Sequence, residues 1–509
     1  MLGNSLDVCI MDAMLNLMNV FTKCRDVVLI ALFLSNVVNA QTFYVAPNGA
    51  DQPSAGSIDN PWATISFAID QVADGSIIEV APGTYNGRVR LDQAFNSGVV
   101  VRAREPYAAQ LRHNNGAVVT CFSCRGITLE GFDIAHASTN TVALVIQIQN
   151  SSVSDVILRN NVIHDSTNND LLRVNNGARN VLIEGNLFYN QAGSDEHIDV
   201  NSTVGVIVQD NVFFNTGSQS STSSFIVIKD SNGNSDGLLG TLDTTIRRNV
   251  FFNWQGSDGQ GFIRVGEDGT ANFEADGVLV ENNLLLGNSS QLMRSAFTVQ
   301  GSRNVRFRNN TVVGNLPSRS FAARLLRTGS NQPNQEISFS NNIWSDPSGT
   351  MGTEGFNGAD VFEAILGSSS TVSLRSNVYF NGGNTIPPDS SQEVRVDQDT
   401  NALIGDPGLL RPSNITLPVL RVNQFAGGAT SIREVFVGLV EKYGTPNSNS
   451  IVVDQADSSD LAGDDILGRI RRVPSDIGAV EVNNIGDELP TDNNPTSIVL
   501  TWLKLLLEK

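Results

Sequence analysis

The sequence predicts an all-β solenoid, and three observations carry that reading. One short motif recurs as LRNNVIHD, IEGNLFYN, VQDNVFFN, IRRNVFFN, VENNLLLG, FRNNTVVG, FSNNIWSD and LRSNVYFN, placing an asparagine at 161, 186, 211, 249, 283, 310, 342 and 377. Successive copies are 25, 25, 38, 34, 27, 32 and 35 residues apart, so the basic repeat is near 25. Between them lie short Val, Ile, Leu and Phe runs without helical periodicity, separated by polar turns, as expected of a chain coiling through stacked strands. Each turn of such a coil climbs one strand spacing, about 4.8 Å. Asparagine tolerates left-handed turn geometry and can bond to its equivalent one coil away, so these residues read as a structural ladder and not as a site.

At the N-terminus, Lys23 and Arg25 precede the apolar run VVLIALFLSNVVNA, with Val38 and Ala40 in the small-residue positions before a signal-peptidase cut. Residues 1–40 therefore read as a secretory signal. The alternative of a membrane anchor is disfavoured because a span needs about 20 apolar residues, and no later stretch is long and apolar enough. Removing the leader takes 52 acidic and 33 basic residues to 49 and 31, a net charge of −18. That excludes nucleic acid as the expected partner, since phosphate binding needs clustered Lys and Arg. A polyanionic substrate would require a local reversal of the field, which a bound divalent cation supplies. Only Cys121 and Cys124 remain beyond the leader; two thiols cannot form a four-ligand zinc site, and they read as packed or locally bridged.

The longer intervals contain loops. The interval of 38 between Asn211 and Asn249 leaves 13 residues beyond the basic period, in the polar segments TGSQSSTSS and NGNSDGLLGTLD. They bracket Lys229, the only lysine between Gln41 and Glu441. A lysine, unlike an arginine, can become a neutral base when its surroundings lower its pKa. Upstream, Asp170 and Asp195 each lie nine residues after a ladder asparagine, so they are expected one strand spacing apart on successive coils. Glu196 and Asp199 add two carboxylates. Like charges this close need a cation or a proton between them, and an all-oxygen set favours Ca²⁺. One ion can reach all four only if the backbone bends at Glu196 or His197. Aligning LLRV, HIDV, FIVI and FIRV places Arg173, Asp199, Val227 and Arg264 in one outward column, with Lys229 two residues beyond Val227; Arg264 and Arg294 extend a positive strip from the metal.

The segments NNDLLRVNNG, SDEHIDV and IVIKDSNG resemble the calcium-dependent pectate lyases of polysaccharide lyase family 9. The resemblance implies a right-handed parallel β-helix, with Asp170, Asp195, Glu196 and Asp199 as calcium ligands and Lys229 as the base. The chemistry that fits is cleavage of a uronic-acid polymer by β-elimination, the lysine pKa being lowered by the cation and by arginine, with Arg264, Arg294 and His197 expected against the substrate from their place on the same face. The sequence departs from the family in having Glu196 for an aspartate and Asp-Ser-Asn-Gly after the lysine. Three other readings stay open: a glycoside hydrolase using paired aspartates, a non-catalytic carbohydrate-binding solenoid, and an epimerase sharing the proton-abstraction step. His113, His136 and His164 read as structural, and Asp230, Asp236, Asp258, Glu267 and Asp268 as solvated or turn-capping.

The flanks are similar to those of secreted β-helix proteins more widely. Residues 41–100 are expected to hold a capping helix around FAIDQVA and the first coils, and 101–425 the solenoid with its groove. Residues 426–484 are expected to supply an amphipathic helix in TSIREVFVGLVEKYG, lying across the C-terminal coils, and a closing segment, DDILGRIRRVPSDIGAVE. Residues 485–509 are a linker and a short apolar tail. The expected molecule is a secreted monomer.

Overall fold

The computed structural model describes residues 40–482 apart from 138–142, 193–195, 218–222, 257–258, 317–318, 353–359 and 423. The expected leader, up to its last residue, and the apolar tail lie outside the described residues, as do Asp195 and Asp258. Successive turns of chain add strands to three parallel sheets of thirteen, ten and twelve strands, the right-handed parallel β-helix that was expected. Sheet 1 runs through Ser154–Arg159, Arg179–Glu184 and Ile207–Gln209. Sheet 2 runs through Leu172–Asn175, Glu196–Asn201, Ser224–Lys229 and Ile263–Val265. Sheet 3 runs through Val162–Ser166, Leu187–Gln191 and Val212–Phe214.

The asparagine ladder is complete. Asn161 Nδ2 donates to Asn186 Oδ1, and the same bond repeats through Asn211, Asn249, Asn283, Asn310, Asn342 and Asn377 at 2.9–3.1 Å, ending on Asp399 Oδ2 at 2.7 Å. All eight asparagines are fully buried, and each amide satisfies polar groups that would otherwise be stranded in the core. The left-handed position is the residue before each of them: Asn160, Gly185, Asp210, Arg248, Asn282, Asn309, Asn341 and Ser376 have φ between 50° and 64°. Inside the coil, side chains stack on their equivalents, as Phe188, Phe213 and Phe251 do with centroids 4.9 and 4.8 Å apart.

The N-terminal helix Ile65–Gln71 starts at Thr64, whose hydroxyl accepts from Phe67 N at 3.2 Å, and buries Ile65, Ala68 and Ile69 in the solenoid core. Cys121 and Cys124 are disulfide-bonded to each other. The C-terminal segment departs from expectation. Its helix Ile432–Leu439 buries Ile432, Phe436 and Leu439 in the apolar cluster on the outer face of sheet 3. Ile432 N donates to the Tyr107 hydroxyl and Arg433 lies beside Asp210, so the helix reaches back over early coils instead of crossing only the last ones. The segment expected to close the end also lies along the side: Asp464 bonds Arg247, and Arg248 at 2.6 Å, while Arg471 Nη2 donates to Asn282 Oδ1 at 2.9 Å. The cause is the outward row of sheet 3, which is apolar and needs a cover. Val394 and Val396, packed with Ile386 and Ala402, join the core near the last strands.

Candidate functional site

Sheet 2 carries the polar face. Its register pairs Arg173 with Asp199, Asp199 with Val227, Val227 with Arg264, and Asn201 with Lys229, the column and offset expected from the apolar runs. The register also corrects one detail. Leu172 pairs with Ile198, so the place one coil above Asp170 belongs to Glu196 and not to Asp195. The coil holds one more residue between Asn186 and this strand than the 25-residue spacing assumed.

Asp170, Glu196 and Asp199 are buried, and each offers a carboxylate oxygen within 4.8 Å of the others. The expected fourth ligand, Asp195, lies outside the described residues. His197 and Ile198 both turn inward, which leaves Glu196 and Asp199 on the outer side. His197 itself is a correction. It is fully buried, sits edge-on to Phe225 at 4.9 Å and bonds Asn215 Oδ1 through Nε2 at 2.9 Å; burial pushes its imidazole down to about 3. A neutral core histidine cannot be the substrate contact expected of it.

Arg173, whose role the sequence did not reveal, is the counterion. Its Nη2 lies 2.5 Å from Asp170 Oδ2 and its Nε 3.0 Å from Asp199 Oδ2. Lys229 Nζ stands 3.9 Å from Asp199 Oδ2 and 2.5 Å from Glu267 Oε2, and Arg264 Nη1 lies 2.5 Å from Glu267 Oε1. Glu267, read from sequence as a solvated turn acid, is therefore the hinge between the two cations. Asp230 is the turn cap it was expected to be, accepting from the backbone N–H of Asn232, Gly233 and Gly240. Arg294 stands two coils beyond Lys229, its Nη1 donating to Gln260 Oε1 at 3.3 Å, and extends the face without joining the group.

The electrostatics follow from crowding. Burial, together with Asp170 and Asp199, pushes Glu196 well above the usual carboxylate range. Burial also pushes Asp199 up to about 7, against the pull of the Lys229 ammonium. Burial acts to lower Lys229, but the carboxylates of Asp199, Glu196 and Glu267 outweigh it and hold the ammonium above its ordinary value. That is opposite to the lowering expected for a base, because four carboxylates surround three cationic groups here.

The donor set fits a hard divalent cation. All three candidate ligands are oxygen donors, and Glu196 Oε1 and Asp199 Oδ1 are buried without a hydrogen-bond partner. Two carboxylate oxygens left this way are costly unless a cation or proton meets them. No helix of the described residues is long and apolar enough to cross a membrane.

No family model and no curated protein matches this sequence. Among solved structures, the chain is similar to a family 136 glycoside hydrolase, the lacto-N-biosidase from Eubacterium ramulus, with a TM-score of 0.50 at 11% identity over 72% of this chain and 67% of that one. It is also similar to XylC in complex with xylose, with a TM-score of 0.48 at 12% identity over 87% and 98% of the two chains. The third is the pectate lyase Pel9A, with a TM-score of 0.48 at 15% identity over 87% and 96%. At these identities the likeness is one of architecture, and the chemistry rests on the residues of the face.

Proposed function

We propose that the protein is a secreted polysaccharide lyase that cleaves a uronic-acid-containing polymer by β-elimination. The observation that carries this reading is the placing of the lone lysine beside the buried Asp170, Glu196 and Asp199 carboxylates on one polar face of the solenoid. Asp170, Glu196 and Asp199 would hold the ion. When bound there, Ca²⁺ supplies positive charge that acidifies the C5 proton of a uronate and offsets the Asp199 and Glu196 carboxylates that keep Lys229 charged. Lys229 Nζ, as the neutral amine, removes the C5 proton, and the C4–O bond breaks to leave a 4,5-unsaturated sugar, the departing oxygen taking its proton from water. Arg264, whose planar fork suits a carboxylate, pairs with a second uronate. Arg173 keeps Asp170 and Asp199 in place from the opposite side.

The hydrolase reading has less support. An acid and a base or nucleophile must flank the glycosidic bond from two positions, whereas Asp170, Glu196 and Asp199 gather as one oxygen cluster suited to a cation. The test is to incubate the protein with pectate, alginate and glycosaminoglycans, with Ca²⁺ or chelator, and to follow the ultraviolet absorbance of the unsaturated product. Absorbance should rise on one polymer and stop with chelator, and Lys229→Ala should lower kcat by about a thousandfold. Reducing ends that appear without absorbance would replace the lyase with a hydrolase.

A further inference from the structure

The loop after Ile263–Val265 has a construction that simple turn formation does not need. Glu274 is fully buried, and its carboxylate accepts the backbone N–H of Glu267, Asp268 and Gly269 at 2.5, 2.8 and 2.7 Å, with Asn331 Nδ2 at 2.9 Å. Three consecutive amides converge on one carboxylate only in a tight turn, and left-handed glycines make it, Gly266 at φ 84° and Gly269 at φ 73°. A Cβ at Gly266 would fall 1.7 Å from the Gln300 carbonyl oxygen, so no larger residue fits. From the other side, Gln300 Nε2 donates to the Glu267 carbonyl at 2.8 Å. The backbone of Glu267 is thus clamped twice. Its carboxylate is shared, one oxygen on Lys229 and the other on Arg264.

We propose that Glu267, clamped by Glu274 and Gln300, is the positioning residue that sets where the Lys229 amine and the Arg264 guanidinium stand over the groove. The inference rests on the reading of Lys229 as the base and adds the device that aims it. A lysine side chain has a flexible four-carbon stem, and displacing a reacting group by an ångström costs about a hundredfold in rate. A carboxylate whose own backbone is fixed removes that freedom. An incidental ion pair would need neither the buried acid nor the glycines.

The test combines kinetics with a readout that does not need activity. Lys229 is the only lysine between Gln41 and Glu441, so lysine labelled with ¹³C at Cε gives a spectrum of few lines, in which Lys229→Arg identifies the Lys229 resonance. Glu267→Ala should lower kcat on the cleaved polyuronate by about a hundredfold with KM changed less than about threefold. Glu267→Gln, which keeps an acceptor oxygen for the ammonium, should recover at least about tenfold of that loss. The Lys229 resonance should shift or broaden in Glu267→Ala and in Glu274→Gln, and return towards its original position in Glu267→Gln. A Lys229 resonance unmoved by Glu267→Ala, or an undiminished kcat, overturns the proposal. If no polymer yields unsaturated product yet the resonance moves as stated, the positioning role stands and the lyase reading falls.

Discussion

The outer faces of sheet 2 and sheet 3 are built on the same coils and buried to similar depth, but by opposite chemistry. On sheet 3 the outward row holds Val162, Leu187, Val212, Val250 and Leu284, and beside it the rings of His164, Tyr189, Phe214 and Phe252 stack at 4.7, 5.0 and 5.2 Å. The C-terminal helix covers them, and each square ångström of apolar surface removed from water contributes about 25 cal/mol. On sheet 2 the equivalent depth holds Asp170, Glu196 and Asp199, with the partly exposed Arg173 beside them, and burial there costs free energy that pairing only partly returns. Two carboxylate oxygens there have no hydrogen-bond partner. The first face stabilises the fold. The second is held against stability, as expected of the metal site we propose there.

Three experiments can break or sharpen this contrast. The largest effect is expected on sheet 3. Phe436 is fully buried, and Phe436→Ala should lower the unfolding free energy by about 3–5 kcal/mol in denaturant titration while leaving kcat on the cleaved polymer unchanged. A loss of activity in the folded variant would mean that the two faces are coupled.

Next comes the acid cluster. Ca²⁺ at a hundredfold excess over its Kd should stabilise the native protein by about 2.7 kcal/mol, measured as a rise in midpoint. Glu196→Gln removes a ligand oxygen and one buried like charge, so it should abolish this gain while leaving the calcium-free chain as stable or more so. Equal calcium stabilisation in the variant would place the ion elsewhere.

The smallest effect is a pH dependence on sheet 3. Burial acts to lower the His164 imidazole, but Asp133 at 2.7 Å and Asp165 at 2.8 Å outweigh it and raise its pKa above 6.5. The folded state therefore holds a proton that the unfolded chain releases near 6.5. The His164 contribution is fully present below that pH and is lost as pH rises through the folded value, with a slope of at most about 1.4 kcal/mol per pH unit. His164→Gln should flatten that slope in unfolding titrations above pH 6.5. An unchanged slope would assign it to another group.

Much of the molecule was legible because stacking converts sequence period into spatial contact. An asparagine repeated at 161, 186 and 211 must meet its own copies when each coil takes 25 residues, and the bonds between them follow. Asp170, Asp199 and Lys229 could be brought together by counting coils, since Asp170 lies just before the strand Leu172–Asn175 and the other two sit on the next two strands of sheet 2. The count failed where a turn gained one residue, so that Glu196 took the place assigned to Asp195. It failed again at His197, because His197 and Ile198 are both buried in the coil and strict in-out alternation does not describe them.

By itself the sequence determined the solenoid, its ladder and the strands that carry the acids and the lysine, since all of these depend on local period and on neighbours one coil away. Only the tertiary structure decided that Glu267 bridges Lys229 and Arg264, that Arg173 balances the acids, and that the C-terminal helix covers the side of the coil. Those contacts join segments whose separation has no period: Glu267 reaches Lys229 across an irregular coil, and Asp464 meets Arg248 from 216 residues away. Burial and charge choose such partners in space, where no sequence spacing records them.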